Sequence, residues 1–365
     1  MNTAARKAFL GWTECLLDPR RASGEYLPAA QAWCAWALAR LGVEENESTL
    51  RSDGFFADTM LSTGKAISPL GAARCVREHQ RTAVFLQAVD AAIRAARERF
   101  PGETIHMLEA GCGPLAPLTL PFAVRYAPAD VQFTLLDLHP TSLEAVKVLV
   151  ADLGVADSVR AYLAADATTV RLAEADRPHL IACEVLLRAL TTEPQVAATI
   201  NLAPQLRPGG FFVPERIDVC AGIFHPAQRF QPASASSSAD GLPATGVEEL
   251  GRVFSLSVDS AGALVKCGHD RYAAGTVRVP PHPPGRLKLL TRIEVFRGHR
   301  LDDFDSSLNL PERLAYPAAL AERGGLAEFH YEVSTTPGLR LTATPGTVVA
   351  PSLQAEVDGT GAAVC

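Results

Sequence analysis

Apolar positions along this chain change their period twice. Over roughly the first hundred residues they follow a helix. The stretch "YLPAAQAWCAWALARLG" is apolar around most of its circumference and stops at Gly42, a residue suited to ending a helix. "REHQRTAVFLQAVDAAIRAARERF" predicts a second long helix with alanine-rich and arginine-rich faces, closed by Pro101. From 104 to about 223 short apolar runs recur instead: "IHMLEAG", "VQFTLLDL", "VRAYLAAD", "HLIACEV" and "GFFVPERI". Helix-length segments such as "PTSLEAVKVLVADLG" separate the first four, which predicts alternating strands and helices around a parallel sheet. After Phe224, "HPAQRFQPASASSSADGLPATG" reads as an exposed loop. The runs beyond it, "RVFSLSV", "GTVRV", "RLKLLTRIEVF", "EFHYEVS" and "LRLTAT", alternate apolar with polar residues and predict half-buried antiparallel strands in a barrel or sandwich.

The expected division is a helical segment over 1–103, an α/β region over 104–224 and a β-rich region over 225–365. With 48% hydrophobic and 20% charged residues, the 365-residue chain reads as globular and long enough for more than one domain. A formal charge of −6 argues against a broad nucleic-acid-binding face. No stretch approaches the roughly 20 apolar residues of a membrane span, and the first residues lack the pattern of a secretion signal. Eight cysteines are scattered without a Cys-x-x-Cys pair. That scatter suits thiols in a reducing compartment better than a disulfide framework or a metal site, so a cytoplasmic protein without a bound metal is expected.

The candidate chemistry begins at "LEAGCGPLAPLTLPF". Gly111 and Gly113 would let backbone approach a ligand, with a following helix aiming its N–H groups at a negative group. A structural turn with no ligand explains two glycines as well. Asp137 closes the second run, 24 residues after Gly113, where a carboxylate can accept from both hydroxyls of a ribose or simply cap the helix near Pro140. Asp166 closes the third run, within reach of an adenine amino group. The order suits an adenosine-bearing cofactor. "GCGPLA" leaves a dinucleotide open on pattern, but Pro114 removes a backbone donor, and Glu109 sets a carboxylate better suited to a cation beside the turn.

In order and spacing, "LEAGCG", "LLDLH", "AADAT", "LIACEVL" and "LRPGGFFVPERI" resemble the motifs of class I S-adenosylmethionine-dependent methyltransferases. The resemblance covers about 104 to 224 and implies a Rossmann-like, doubly wound sheet. It implies that Glu109, Gly111 and Gly113 contact the methionine half of S-adenosyl-L-methionine, Asp137 the ribose and Asp166 the adenine. The family's usual third glycine is replaced here by Leu115. Within "CEVLLRALTTEP", Glu184 and Glu193 stand nine residues apart, which resembles the acidic loop of protein arginine methyltransferases. "REHQRT" is similar to that branch's cofactor-covering helix, in which Arg81 would pair with the methionine carboxylate. That branch also carries a C-terminal β-barrel.

Two carboxylates suit a guanidinium, which is planar, always protonated and a poor nucleophile until its charge is drawn toward one side. Arg188, between the glutamates, could instead pair with one of them and make the loop structural. The sequence lacks the branch's Trp-Met-Gly after the first glutamate and its His-Trp late in the barrel. The expected activity is therefore N-methylation of a small guanidino or amino acceptor such as free arginine, with a homodimer allowed and neither nucleic acid nor membrane as partner. The alternatives are protein arginine methylation, O- or N-methylation of another natural product, a non-catalytic cofactor-binding scaffold and, most distantly, a dehydrogenase. His282, His299 and the acidic "LDDFDSS" are further positions to inspect, although turn or surface roles explain all three.

Overall fold

In this computed structural model residues 2–43, 54–225, 246–265 and 270–346 are described. Almost all of the serine-rich loop expected after Phe224 lies outside them, as do Cys267 and Cys365. The chain opens with two helices, α1 (Thr3–Leu17) and α2 (Ser23–Arg40). Phe9 meets Trp33 edge-on with ring centroids 5.3 Å apart, and both are fully buried. Each such aromatic contributes about 2–3 kcal/mol of burial. A hairpin follows, β1 (Thr59–Leu61) and β2 (Gly64–Ala66), and then α3 (Pro69–Cys75) and the long α4 (His79–Arg99). Helix α4 packs against α1 and α2 and also reaches the sheets, so residues around its circumference are buried. Phe100 ends it, one residue before Pro101.

The parallel sheet contains β3 (Ile105–Ala110), β4 (Val131–Asp137), β5 (Val159–Ala164), β6 (Leu180–Cys183) and β7 (Phe211–Val213) in the order β5-β4-β3-β6-β7. Its buried β3, "IHMLEA", shows why such a run is apolar without alternation. The intervening helices depart from expectation. Between β3 and β4 stands only the single turn α5 (Leu120–Ala123), because Pro114 and Pro117 interrupt the segment before it. Helix α6 (Pro140–Leu153) fills the next crossover and ends at left-handed Gly154. Between β5 and β6 the chain forms no α-helix. Its backbone is satisfied by side chains from α7 (Gln195–Leu202) and the turn after it: Asn201 donates to Ala167 and Val170 at 2.9 and 3.0 Å, while Gln205 accepts from Leu172 at 2.8 Å.

The run "GFFVPERI" is also two strands rather than one. Pro214, which has no N–H for a ladder, divides β7 from β8 (Arg216–Phe224), and β8 joins an antiparallel sheet. The change from parallel to antiparallel pairing thus falls at residues 214–216. The remaining elements are β9 (Val247–Ser257), α8 (Val258–Val265), β10 (Arg271–Val279), β11 (Arg286–Phe296), β12 (His299–Leu301), β13 (Glu312–Arg313), α9 (Ala318–Arg323), β14 (Gly325–Glu332) and β15 (Gly338–Pro345). They form two sheets, β12-β11-β8-β9 with β13 on β11, and β10-β14-β15. Phe254 and Tyr331 stack between them with centroids 5.1 Å apart. The region is a two-sheet sandwich continuous with the core of the parallel sheet. No helix among the described residues is long and apolar enough to cross a membrane.

Candidate active site

The register of the parallel sheet gathers the singled-out residues at one edge. Ala110 pairs with Leu136 on one side and Cys183 on the other, so Gly111, Asp137 and Glu184 leave the sheet side by side. Asp137 pairs with Ala164, two residues before Asp166. The chain winds outward from β3 to β5 and returns to β6 on the other side of β3. Such a reversal opens a crevice beyond the carboxyl ends of the strands. A cavity of about 270 Å³ lies there, and Arg81, Gly111, Gly113, Asp137, Asp166, Glu184 and Glu193 all reach its wall.

The glycine turn spends its own donors. Gly111 and Cys112 donate to the Leu136 carbonyl at 2.9 and 3.2 Å, and Gly113 donates to Asp137 Oδ2 at 2.8 Å. Pro114 has no donor to add, and the expected helix after the turn is reduced to α5. A pyrophosphate cradle needs free amides at a helix N-terminus, so this turn does not supply one. Gly111 has φ 77°, and a Cβ there would run into Val185 and lie 3.1 Å from the Glu184 carbonyl. Glycine is thus required by the close passage of the chain leaving β6. Leu115, at the missing third glycine, is buried in the core.

Asp137 and Asp166 both hold local backbone while facing the cavity. Asp137 Oδ1 accepts from the His139 amide at 2.8 Å, and Asp166 Oδ1 accepts from the Thr168 amide at 2.7 Å. Each carboxylate oxygen has a second lone pair for a ligand hydroxyl or amino group.

The loop between the glutamates is forced into an uncommon shape. Ala189, Leu190 and Thr192 have φ of 54°, 56° and 67°, which for non-glycine residues costs on the order of 1–3 kcal/mol each. The β-rich half holds them there. Thr291 Oγ1 accepts from the Ala189 amide at 2.7 Å, the Tyr331 hydroxyl donates to the Leu190 carbonyl at 2.7 Å, and the Thr192 amide donates to Pro337 O at 3.3 Å. Arg188 binds Glu312 at 2.6 Å rather than either glutamate.

The cation beside the glutamates is Arg81. From the first turn of α4 it donates to Glu184 and, at 3.2 Å, to Glu78. Glu78 in turn accepts from the Ser307 amide and hydroxyl at 2.9 and 2.7 Å. The sequence assigns Arg81 and Glu184 to different ligands, yet here they form a pair with each other. Burial opposes the charge on Arg81, but the surrounding carboxylates, Glu184 foremost, outweigh it and raise its pKa. Burial also pushes the Glu184 carboxyl up, against the opposing pull of Arg81. A guanidinium does not shed its proton in a protein, so the pair is ionic.

Glu193 is 8% exposed and accepts no hydrogen bond from any described residue. Burial, reinforced by Glu184, pushes its pKa up to about 7. Glu109 is 1% exposed and lies behind the turn, in a recess of about 30 Å³ shared with Arg81 and Glu184 rather than on the main cavity wall. Its Oε1 accepts from the Leu118 amide at 3.1 Å, and burial pushes its pKa up to about 8. Both carboxyls hold protons more tightly folded than unfolded. The unliganded protein should therefore lose stability, on the order of several kcal/mol, as pH rises from the ordinary glutamate range through 7 to 8. Urea unfolding between pH 5 and 8.5 checks this, and a flat or rising profile would contradict the tighter proton binding by these buried carboxyls.

His282 is exposed with φ 46°, and His299 is half-buried on β12; neither lies on the cavity wall. The acidic run is paired with arginines of the neighbouring strands: Asp303 binds Arg292 on β11 at 2.9 Å and Asp302 binds Arg300 on β12 at 2.8 Å, while Ser307 reaches the cavity. Among the described residues no group of three or more His, Cys, Asp or Glu is placed to hold a metal ion. Sequence reasoning missed the β1–β2 hairpin, whose Lys65 lines the cavity, and Glu78. The glycine-containing turn in "LSTGKA" and the three-residue spacing from Glu78 to Arg81 were the available signals.

No family model matches this sequence, and no curated protein matches it. Among solved structures, the chain is similar to the Trypanosoma brucei PRMT1 enzyme-prozyme heterotetrameric complex with AdoHcy. The identity is 13% and the TM-score 0.46, over 75% of this chain and 93% of that one. It is also similar to PRMT6-SAH, with 11% identity and a TM-score of 0.41, over 73% of this chain and 96% of that one. Superpositions this loose carry no function across, and the reading below stands on the residues of the cavity.

Proposed function

We propose that this chain is an S-adenosyl-L-methionine-dependent methyltransferase. Within that class, we infer that it transfers a methyl group to a guanidino nitrogen of a small molecule such as free arginine. The observation that carries the reading is the convergence of two carboxylates, the half-buried Glu184 and the buried Glu193, and one buried guanidinium, Arg81, on the cavity at the sheet's carboxyl edge. The helical segment of 1–103 would supply the cover, 104–224 the cofactor half and 225–365 the support for the acceptor loop.

When bound, S-adenosylmethionine would supply an electrophilic methyl group on a sulfonium. Arg81 has the charge to hold a carboxylate, and Asp137 and Asp166 the spare acceptors for ribose hydroxyls and an adenine amino group. Gly111 and Gly113 keep the floor of the cavity low. Glu184 and Glu193 then grip the N–H groups of the acceptor, concentrate its charge away from one nitrogen and aim that nitrogen's lone pair. Alignment of two reactants in this way supplies several kcal/mol of a barrier. The methylated nitrogen loses its proton after the methyl group arrives, so a strong base is not required. For the glutamates to act together, Arg81 must exchange Glu184 for another anion.

A second reading follows from Glu193. A carboxyl with a pKa near 7 is matched to general-base work on an amine or hydroxyl acceptor. One assay separates the two. Labelled-methyl S-adenosylmethionine is presented with free L-arginine, an arginine-containing peptide, and amines and phenols in separate reactions. Label on free arginine is expected. Label confined to the peptide would move the activity to proteins, and label only on amines or phenols would replace the guanidinium clamp with the base. Tight cofactor binding without any product would leave a non-catalytic binding protein.

A further inference from the structure

The cavity holds a second fixed cation that the proposed reaction does not need. Its wall carries the carboxylates of Glu78, Asp137, Asp166, Glu184 and Glu193, with Arg81 and Lys65 as the lysine and arginine side chains among the described lining. A site built only to bind a sulfonium and a guanidinium gains nothing from an ammonium next to the clamp, because like charges repel at that range.

Lys65 is held in place by backbone. Its amide donates to the Thr192 carbonyl at 2.7 Å. Gly64 has φ 141°, and a Cβ there would lie 2.8 Å from the same carbonyl and 3.1 Å from Pro194 N. The β1–β2 hairpin is therefore pressed onto the loop that carries Glu193, and only glycine permits the approach. Lys65 opposes the upward push on the Glu193 carboxyl, as expected of an ammonium standing near it.

Lys65 also has a structural use. Its Nζ lies 2.8 Å from Asp58 Oδ2, and Asp58 Oδ1 accepts from the Ser68 amide at 2.8 Å. The side chains of Lys65 and Asp58 are 30% and 43% exposed, and a pair so open to water contributes little to stability. An ammonium has three donors, so the bond to Asp58 leaves two for another anion.

Resting on the guanidino reading above, we propose that Lys65 binds a carboxylate on the acceptor. The substrate class would then be a guanidino acid, gripped by Glu184 and Glu193 at its cationic end and by Lys65 at its anionic end. Selection falls on free amino-acid-like acceptors, since a peptide-bonded arginine has no carboxylate at that place.

The test compares free L-arginine with its decarboxylated analogue, with initial rates measured on wild type, Lys65→Met and Asp58→Asn. Wild type should prefer arginine. Lys65→Met should raise KM for arginine about ten- to a hundredfold, as loss of a charge-assisted bond does, with kcat nearly unchanged and the decarboxylated compound used as well as before or better. Asp58→Asn, which loosens the hairpin but keeps the ammonium, should retain the preference. Equal losses on both acceptors in Lys65→Met, or equal wild-type rates on both, would overturn the assignment while leaving guanidino methylation standing. Failure of wild type to methylate or bind either compound would remove the guanidino reading and this inference together.

Discussion

Glu184→Gln should lower kcat/KM for the acceptor by about 10²–10³-fold, the scale of removing one charge-stabilising group from a desolvated site, while cofactor affinity stays within a few-fold or tightens. The asymmetry comes from Arg81. In the unliganded protein Glu184 competes for that guanidinium, so neutralising Glu184 deprives the acceptor of half its clamp but releases Arg81 for a ligand carboxylate. Direct titration of S-adenosylhomocysteine alongside steady-state rates separates the two effects. Loss of cofactor binding with turnover per bound complex unchanged would show that Glu184 serves only to hold Arg81. The clamp would then need other residues.

Arg81→Met should have the opposite profile. Removing one partner of a buried, hydrogen-bonded charge pair costs about 2–5 kcal/mol, so cofactor affinity should fall by about 30-fold to several thousandfold. Stability should fall by about 3–5 kcal/mol, because Glu184 is left without its cation in a desolvated place. Adding Glu184→Gln to Arg81→Met should restore much of that stability without restoring cofactor affinity. Recovery of both would mean that Arg81 acts on the cofactor only by keeping the fold in order. Calorimetric titration on the folded variants and urea unfolding of the same samples read the two quantities independently.

The sheet edge was legible because each site residue follows an apolar strand. Gly111, Asp137, Asp166 and Glu184 all come at or just after a run, and parallel register then brings them together. The crossover helices were less legible. The segment between β3 and β4 has helical length, but Pro114 and Pro117 keep its first part out of a helix and leave one turn. The segment after β5 is satisfied by Asn201 and Gln205 from a later element, which no local pattern reveals. The pairing of Arg81 with Glu184 lay beyond the sequence for the same reason. The two residues are 103 positions apart, and each was matched to a ligand rather than to the other. Lys65 was missed because an eight-residue hairpin leaves almost no period to read, and only its packing on residues 192–194 gives it a place at the cavity.

The shape of the acidic loop is set from a distance. Ala189, Leu190 and Thr192 keep their left-handed backbone because Thr291, Tyr331 and Pro337 hold them from the β-rich half. That half works as a last for the acceptor site, much as a shoemaker's form decides the fit of a shoe without touching the foot. Which molecules the loop accommodates can therefore drift through changes at those supports while every ligand-facing residue stays the same. For the same reason, grafting residues 184–193 alone onto another sheet edge would transplant the carboxylates without the geometry that makes them a pair.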